Sequence, residues 1–110
     1  MNSLVNSFVS PIGMGDIRLV PQRRTVRVQN RTIELTRTEY QFFSPLLTGI
    51  PVTYTDLAMD VYRCDVDAKV RLMMDKHVDR IRGKLRGSGI YIYCILGYGY
   101  VLLPVNTPDA

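Results

Sequence analysis

The feature that most restricts the fold of this chain is a long amphipathic pattern between residues 68 and 86. Five apolar residues recur there at intervals of 4, 4, 3 and 4, namely Val70, Met74, Val78, Ile81 and Leu85. At 3.6 residues per turn, this spacing places all five on one side of an α-helix. The pattern therefore predicts a helix from Ala68 to Arg86 whose apolar stripe faces a protein core.

The other side of this predicted helix is basic. It carries Lys69, Leu72, Met73, Lys76, Arg80 and Gly83, with Lys84 at its edge. Residues 63–86 hold eight Lys and Arg against four Asp and Glu, which accounts for the whole formal net charge of +4. Charge concentrated in one segment is typical of a surface that binds a polyanion, although a solvated helix face with salt bridges would have the same composition.

A different period precedes this helix. Between Ile17 and Leu35 apolar residues alternate with polar ones, and turn residues at 21–23 and 29–30 separate the runs. Because a period of two is the pattern of half-buried strands, this segment predicts a small antiparallel sheet of about three strands.

Two shorter helices are predicted between the sheet and the long helix. Thr36 and Glu39 have the spacing of a capping box, which starts the first of them. Its core stripe is expected to consist of Tyr40, Phe43, Leu46 and Leu47. Pro45 should kink or shorten that helix, because proline lacks a backbone donor. Thr53 and Asp56 repeat the cap pattern and open the second helix.

The end of the chain predicts a β-hairpin. β-Branched and aromatic residues fill 90–95 and 100–103, on either side of a turn that contains Gly97 and Gly99. A sheet, three helices and a hairpin in this order are the layout of an α+β winged helix-turn-helix domain, in which the hairpin is the wing.

The length of the chain favours one domain. A chain of 110 residues has room for a single core, and we expect the domain to span residues 16–103 between flexible tails at 1–15 and 104–110. No apolar run reaches the ~18 residues that a membrane helix needs. The domain is therefore expected to be cytoplasmic and to make no membrane contact of its own.

Patterns that would indicate catalysis or a bound cofactor are weak. His77 is the one histidine and lacks Cys, His or carboxylate partners at ligand spacing, so no metal site is expected. Gly97 and Gly99 lack the third glycine and the following helix of a dinucleotide-binding loop. Asp56 and Asp60 have no positioned His or nucleophile beside them. We therefore expect no enzymatic activity, no cofactor and no small-molecule substrate.

Four pieces of the sequence form a recognisable series. They are Leu35 and Thr36 with Glu39, Val52 and Thr53 with Leu57, Val61 and Tyr62, the run from Asp75 to Leu85, and the turn from Gly97 to Tyr100. In this order and spacing they resemble the DNA-binding domain of OmpR/PhoB-type response regulators. The resemblance implies the output domain of a bacterial two-component system, which binds specific double-stranded DNA to control transcription. It also implies that the third helix enters the major groove and the wing lies near the minor groove.

The resemblance implies that Asp75, His77, Arg80 and Arg82 lie where family members contact DNA, with Arg80 nearest a base edge. With the basic helix face and the wing tip added, the candidate DNA-binding residues are Lys69, Arg71, Met73, Asp75, Lys76, His77, Arg80, Arg82, Lys84 and Tyr98. The resemblance further implies a loop that contacts RNA polymerase, formed by Arg63, Cys64, Asp65, Val66 and Asp67. Family members commonly bind direct repeats as head-to-tail dimers, and the same is expected here.

Four positions differ from the family pattern, and one of them is Pro45, which is unusual within the first helix. Leu96 replaces an arginine that enters the minor groove, so we expect the wing to add little affinity; the alternative is that Leu96 packs inside the hairpin. Lys76 stands where an apolar residue is usual, and Leu72 replaces an expected arginine. A second interpretation of the whole domain is an interaction module that docks its basic helix on an acidic protein. The lack of aromatic residues on that helix face favours DNA.

Overall fold

The computed structural model describes residues 17–105. The tail predicted at 1–15 and residues 106–110 of the predicted C-terminal tail lie outside this range. The described chain passes through three strands, an α-helix, a short strand, two further α-helices and two final strands. No helix in this range combines the length and the apolar composition of a transmembrane segment.

The first three strands form the predicted antiparallel sheet. They are β1 (Ile17–Val20), β2 (Thr25–Val28) and β3 (Arg31–Glu34), in that order across the sheet. Val26 lies opposite Leu19 on one side and Ile33 on the other. Val26 and Ile33 are buried while Arg27, the next residue along β2, is exposed. The alternating pattern therefore does mark one buried face of a sheet.

Helix α1 (Arg37–Phe43) begins at the predicted capping box. The Thr36 hydroxyl accepts a hydrogen bond from the Glu39 amide at 3.2 Å, and Oε1 of Glu39 accepts one from the Thr36 amide at 2.9 Å. A 3₁₀ helix (Ser44–Thr48) that contains Pro45 follows directly. The proline thus shortens the α-helix, as expected.

The core stripe of α1 differs from the prediction. Tyr40 is only half-buried, whereas Phe42 is fully buried beside Phe43. The buried positions continue through the 3₁₀ helix as Glu39, Phe42, Phe43, Leu46 and Leu47. The stripe therefore starts at a carboxylate, which a search for apolar residues passes over.

Helices α2 (Tyr54–Tyr62) and α3 (Ala68–Leu85) also begin at side-chain caps. Thr53 caps α2 and Asp67 caps α3, each accepting a hydrogen bond from the amide three residues further on, at 3.0 and 2.8 Å. All five members of the predicted α3 stripe are buried. The stripe packs α3 against α1 and α2 and confirms the predicted long helix.

The hairpin consists of β5 (Ile90–Ile95) and β6 (Gly99–Pro104), and it pairs with a strand that the sequence did not predict. This strand is β4 (Val52–Thr53), which gives the sheet the order β4-β6-β5. An ideal Cβ on Gly99 would lie 1.8 Å from the carbonyl oxygen of Val52, so glycine permits the pairing. Strand β6 ends at Pro104, one residue into the expected tail.

Both sheets and the three helices contribute to one hydrophobic core. A polar contact also joins them, because Nη1 of Arg31 on β3 donates to the carbonyl oxygen of Arg86 after α3, at 2.5 Å. The observed order and packing confirm an α+β winged helix-turn-helix with an N-terminal sheet, three helices and a C-terminal hairpin wing.

Candidate nucleic-acid interface

Helix α3 is held on three sides and open on the fourth. Its buried stripe faces the core, one flank contacts α1 and α2, and the other flank contacts the hairpin. The fourth side, which we call the open face, consists of Lys69, Leu72, Met73, Lys76, Arg80 and Gly83. All six are exposed, so the outward face expected from the sequence is present.

The open face carries three cations. Lys69, Lys76 and Arg80 form no hydrogen bond or ion pair with another residue in the range 17–105. Two apolar side chains, Leu72 and Met73, lie among them. The positive charge on this face is therefore available to an anionic partner.

His77, a predicted DNA contact, is engaged within the protein. Its Nδ1 lies 2.9 Å from the hydroxyl oxygen of Tyr62 and 3.0 Å from the carbonyl oxygen of Met73. Its ring stacks on that of Phe42, with the ring centroids 5.7 Å apart. The side chain joins α3 to α1 and α2, and its contact with DNA stays a prediction.

Lys84, predicted at the edge of the open face, forms an ion pair with a buried carboxylate. Its Nζ lies 2.6 Å from Oε1 of Glu39, a residue that is 3% exposed. Burial by itself raises the pKa of Glu39, but hydrogen bonds from Lys84 and from the Thr36 amide outweigh burial and hold that pKa below its usual value. Lys84 is therefore a structural partner of α1 as well as a candidate DNA contact.

Arg71 and Asp75, two further candidates, contact the start of α2 and the hairpin sheet, respectively. The guanidinium carbon of Arg71 lies 3.7 Å from the ring centroid of Tyr54, a cation–π contact. Asp75 accepts a hydrogen bond from the hydroxyl of Tyr100. Burial and this hydrogen bond raise the pKa of Tyr100 far above its ordinary value, so the phenol stays a donor.

Arg82 is also occupied on the hairpin flank. Its Nε donates to the carbonyl oxygen of Ile92 on β5 at 2.9 Å, and its Nη1 donates to Asp79 at 2.9 Å. The guanidinium carbon lies 5.0 Å from the ring centroid of Tyr91. Arg82 therefore connects α3 to the first strand of the wing, and its contact with DNA stays a prediction.

The turn between β5 and β6 forms the tip of the wing. Leu96 is 93% exposed there, and Tyr98 is 46% exposed. The alternative in which Leu96 packs inside the hairpin is therefore wrong. The Tyr98 carbonyl oxygen accepts a hydrogen bond from the Tyr54 amide at 2.9 Å, which fixes the base of the tip to the start of α2.

The loop predicted to contact RNA polymerase is only partly outward-facing. Arg63 closes α2 in a left-handed conformation, and Asp67 caps α3. Cys64 and Val66 are half-buried and pack against the core. The exposed members of the loop are therefore Arg63, Asp65 and Asp67.

Leu72 is a member of the open face that the candidate list from the sequence omitted. It lies three residues after Lys69 and four before Lys76, so it is a neighbour of both on the helix surface. The signal that could have found it is an apolar residue in the middle of a basic face.

Comparison with known proteins gives structural relatives. No family model matches the sequence, and no curated protein is significantly similar to it. The DNA-binding domain of Bacillus subtilis CssR is 25% identical, with a TM-score of 0.64 over 80% of this chain and 100% of that chain. The DNA-binding domain of the response regulator AdeR, solved in complex with an intercistronic region, is 27% identical, with a TM-score of 0.62 over 81% and 95% of the two chains.

A third relative is the Klebsiella pneumoniae RstA DNA-binding domain in complex with the RstA box. It is 21% identical, with a TM-score of 0.68 over 86% of this chain and 97% of that chain. These neighbours are DNA-binding domains of OmpR/PhoB-family response regulators, which is the family that the sequence resembles. This chain therefore has the winged helix-turn-helix fold of the DNA-binding domains of OmpR/PhoB-type response regulators.

Proposed function

We propose that this domain binds specific sequences of double-stranded DNA and thereby regulates transcription, with α3 in the major groove and the wing beside the minor groove. The observation that carries the proposal is the open face of α3, whose three cations have no partner within residues 17–105. An α-helix fits the width of the major groove, and long basic side chains on its outer face can reach phosphates and base edges. Two of the similar domains were solved in complex with DNA, which supports the same partner here.

The predicted contacts divide into two groups by their environment. Those that are exposed and free to touch DNA are Lys69, Met73, Lys76, Arg80 and Tyr98. Those that already hold α3 in place are Arg71, Asp75, His77, Arg82 and Lys84. The main role of the second group is to orient the open face. If α3 were misplaced, every contact of the first group would be lost together.

Within the exposed group, Arg80 is assigned to a base edge and the two lysines to phosphates. The guanidinium of arginine matches the two acceptors of guanine in the major groove, whereas the lysine ammonium is a point charge without that geometry. Phosphate contacts position the protein but carry no sequence information directly. Arg80 is therefore the residue on which specificity should depend most.

Two further partners are proposed on the resemblance alone. The exposed loop residues Arg63, Asp65 and Asp67 are candidates to contact RNA polymerase. Binding to direct repeats as a head-to-tail dimer is proposed on the same basis.

The test is selection of binding sites from a pool of random duplexes, followed by fluorescence anisotropy on a selected duplex. Affinity should fall at least about tenfold between about 50 and 200 mM salt, because each phosphate contact releases counterions. Arg80→Ala should lower the information content of the selected motif. Arg27→Ala removes an exposed arginine from β2 and is the control for the loss of one charge. Failure to select any duplex at low salt would show that the domain is not a DNA-binding module.

A further inference from the structure

The open face of α3 contains an apolar area that no described residue covers. Leu72 is 62% exposed and Met73 beside it is 37% exposed. Lys69 and Lys76 lie one helical turn before and after Leu72. The leucine is therefore flanked along the helix by the two ammonium groups that the proposed function directs to phosphates.

The chemistry of the major groove limits what such a leucine can contact. Its side chain has no donor or acceptor, so it cannot pair with the polar edges of guanine, cytosine or adenine. The 5-methyl group of thymine is the apolar group that the major groove presents, and aliphatic side chains contact it in specific complexes. We infer, on the basis of the proposed function, that Leu72 with Met73 recognises thymine methyl groups and makes the preferred site thymine-containing opposite the first half of α3.

The geometry of the helix supports a direct contact at this position. Lys69 and Lys76 can extend beyond the shorter leucine to phosphates at the edge of the groove, whereas the leucine stays close to the helix surface. The open face offers no aromatic ring that would hold the bases further away. Leu72 is thus free to contact base edges while the two longer lysines bind phosphates.

The size of the effect follows from the area that one methyl group buries. Removing a buried methyl costs about as much as a methylene group, which corresponds to about a fourfold loss of affinity. A variant without the leucine side chain keeps only the less exposed Met73 to contact the thymine methyl group. It should therefore be nearly indifferent to the methyl group.

The experiment uses a duplex selected by this protein, in which each thymine is replaced in turn by deoxyuridine. With the unaltered protein, replacement of one or two thymines should weaken binding about fourfold. With Leu72→Ala, replacement of the same thymines should change affinity less than about twofold. Ile50→Ala removes an aliphatic side chain that is 64% exposed and lies outside α3, so this control should retain the full sensitivity to deoxyuridine.

The outcomes separate this inference from the function on which it rests. If no duplex is selected, the proposed DNA binding fails and the inference fails with it. If a duplex binds tightly but tolerates deoxyuridine at every position, DNA binding stands and the leucine assignment is overturned. The assignment is equally overturned if Leu72→Ala and Met73→Ala both keep the full sensitivity, because another residue would then recognise the methyl group.

Discussion

Lys84, in the last turn of α3, lies 2.6 Å from Glu39, in the first turn of α1 and 45 residues earlier in the chain. The same carboxylate oxygen accepts a hydrogen bond from the Thr36 amide, so one buried group caps α1 and anchors α3. A buried carboxylate that loses its partner is costly to keep charged. The stability of the fold and the charge at the edge of the open face are therefore linked through this pair.

Lys84→Ala is accordingly expected to destabilise the domain. The free energy of unfolding should fall by about 1–2 kcal/mol. This is less than the loss expected when a fully buried ion pair is broken, because the lysine side chain is 38% exposed and solvent screens the interaction. Chemical denaturation measures the effect, and Lys76→Ala, which removes an unpaired lysine from the same helix, should change stability by less than about 0.5 kcal/mol. Equal unfolding free energies for the two variants would show that the ion pair contributes nothing.

The low pKa of Glu39 predicts a dependence of stability on pH. A carboxyl group whose folded pKa lies below its unfolded value of 4.5 adds stability above that pH, and this part is lost as the pH falls through the folded pKa. Unfolding by urea is to be measured between about pH 3 and pH 7. The unfolding free energy of the unaltered protein should exceed that of Glu39→Gln by the most near neutrality, and this difference should shrink in acid. A difference that stays constant over this range would mean that folding does not shift the pKa of Glu39.

Gly99→Ala should be strongly destabilising. The added Cβ would lie 1.8 Å from the carbonyl oxygen of Val52 and 2.8 Å from Cα of Thr53, both of them backbone atoms that cannot rotate away. Separating β4 from β6 to make room should cost at least about 1–3 kcal/mol. Thermal unfolding measures the change, and a melting temperature equal to that of the unaltered protein would show that β4 is not paired in solution.

The sequence predicted the elements of this fold better than it predicted the partners of their side chains. The five-residue stripe and the caps at Thr36 and Thr53 are local patterns, and each was confirmed because period and capping depend on neighbours in the chain. The hydrogen bonds of His77 and Asp75 involve Tyr62 and Tyr100, 15 and 25 residues away. The spacing of residues along a helix does not reveal partners so far away in the chain. Residues that orient α3 were therefore included among the candidate DNA contacts together with residues that face solvent.

Strand β4 and the buried Glu39 were missed for related reasons. A two-residue strand is too short to show a period, and it exists because Gly99 on a distant strand permits close approach. Glu39 was recognised as a cap, but the partner of its buried carboxylate is Lys84, which lies far along the chain. In both cases the structural role of the residues can be recognised only when their tertiary contacts are known.

Gly83→Ala makes the same chemical change as Gly99→Ala and should have the opposite effect on stability. An added Cβ at Gly83 would meet nothing within 4 Å, and alanine is better than glycine in a helix by about 0.5–1 kcal/mol. DNA affinity should fall at the same time, because the methyl group would project from the open face towards the proposed groove. A variant that gains stability and keeps full affinity would place the end of α3 away from DNA.

The wing offers a gain-of-function prediction at Leu96. The side chain is 93% exposed, so Leu96→Arg should leave the melting temperature unchanged. If the tip lies at the minor groove, the new guanidinium enters a region of enhanced negative potential that leucine cannot use. Affinity should increase, and the slope of log affinity against log salt should steepen by about one unit, since one more phosphate contact is made.

Two controls separate the effect of a charge at the wing tip from the effect of an added charge elsewhere on the domain. Leu96→Gln removes the leucine without adding a charge and should leave the salt slope as it was. Met59→Arg adds the same charge on α2, at a side chain that is 48% exposed, and should steepen the slope by less than Leu96→Arg does. A folded Leu96→Arg domain with unchanged affinity and salt slope would show that this wing does not reach the DNA backbone, and the proposed contact would then be confined to α3.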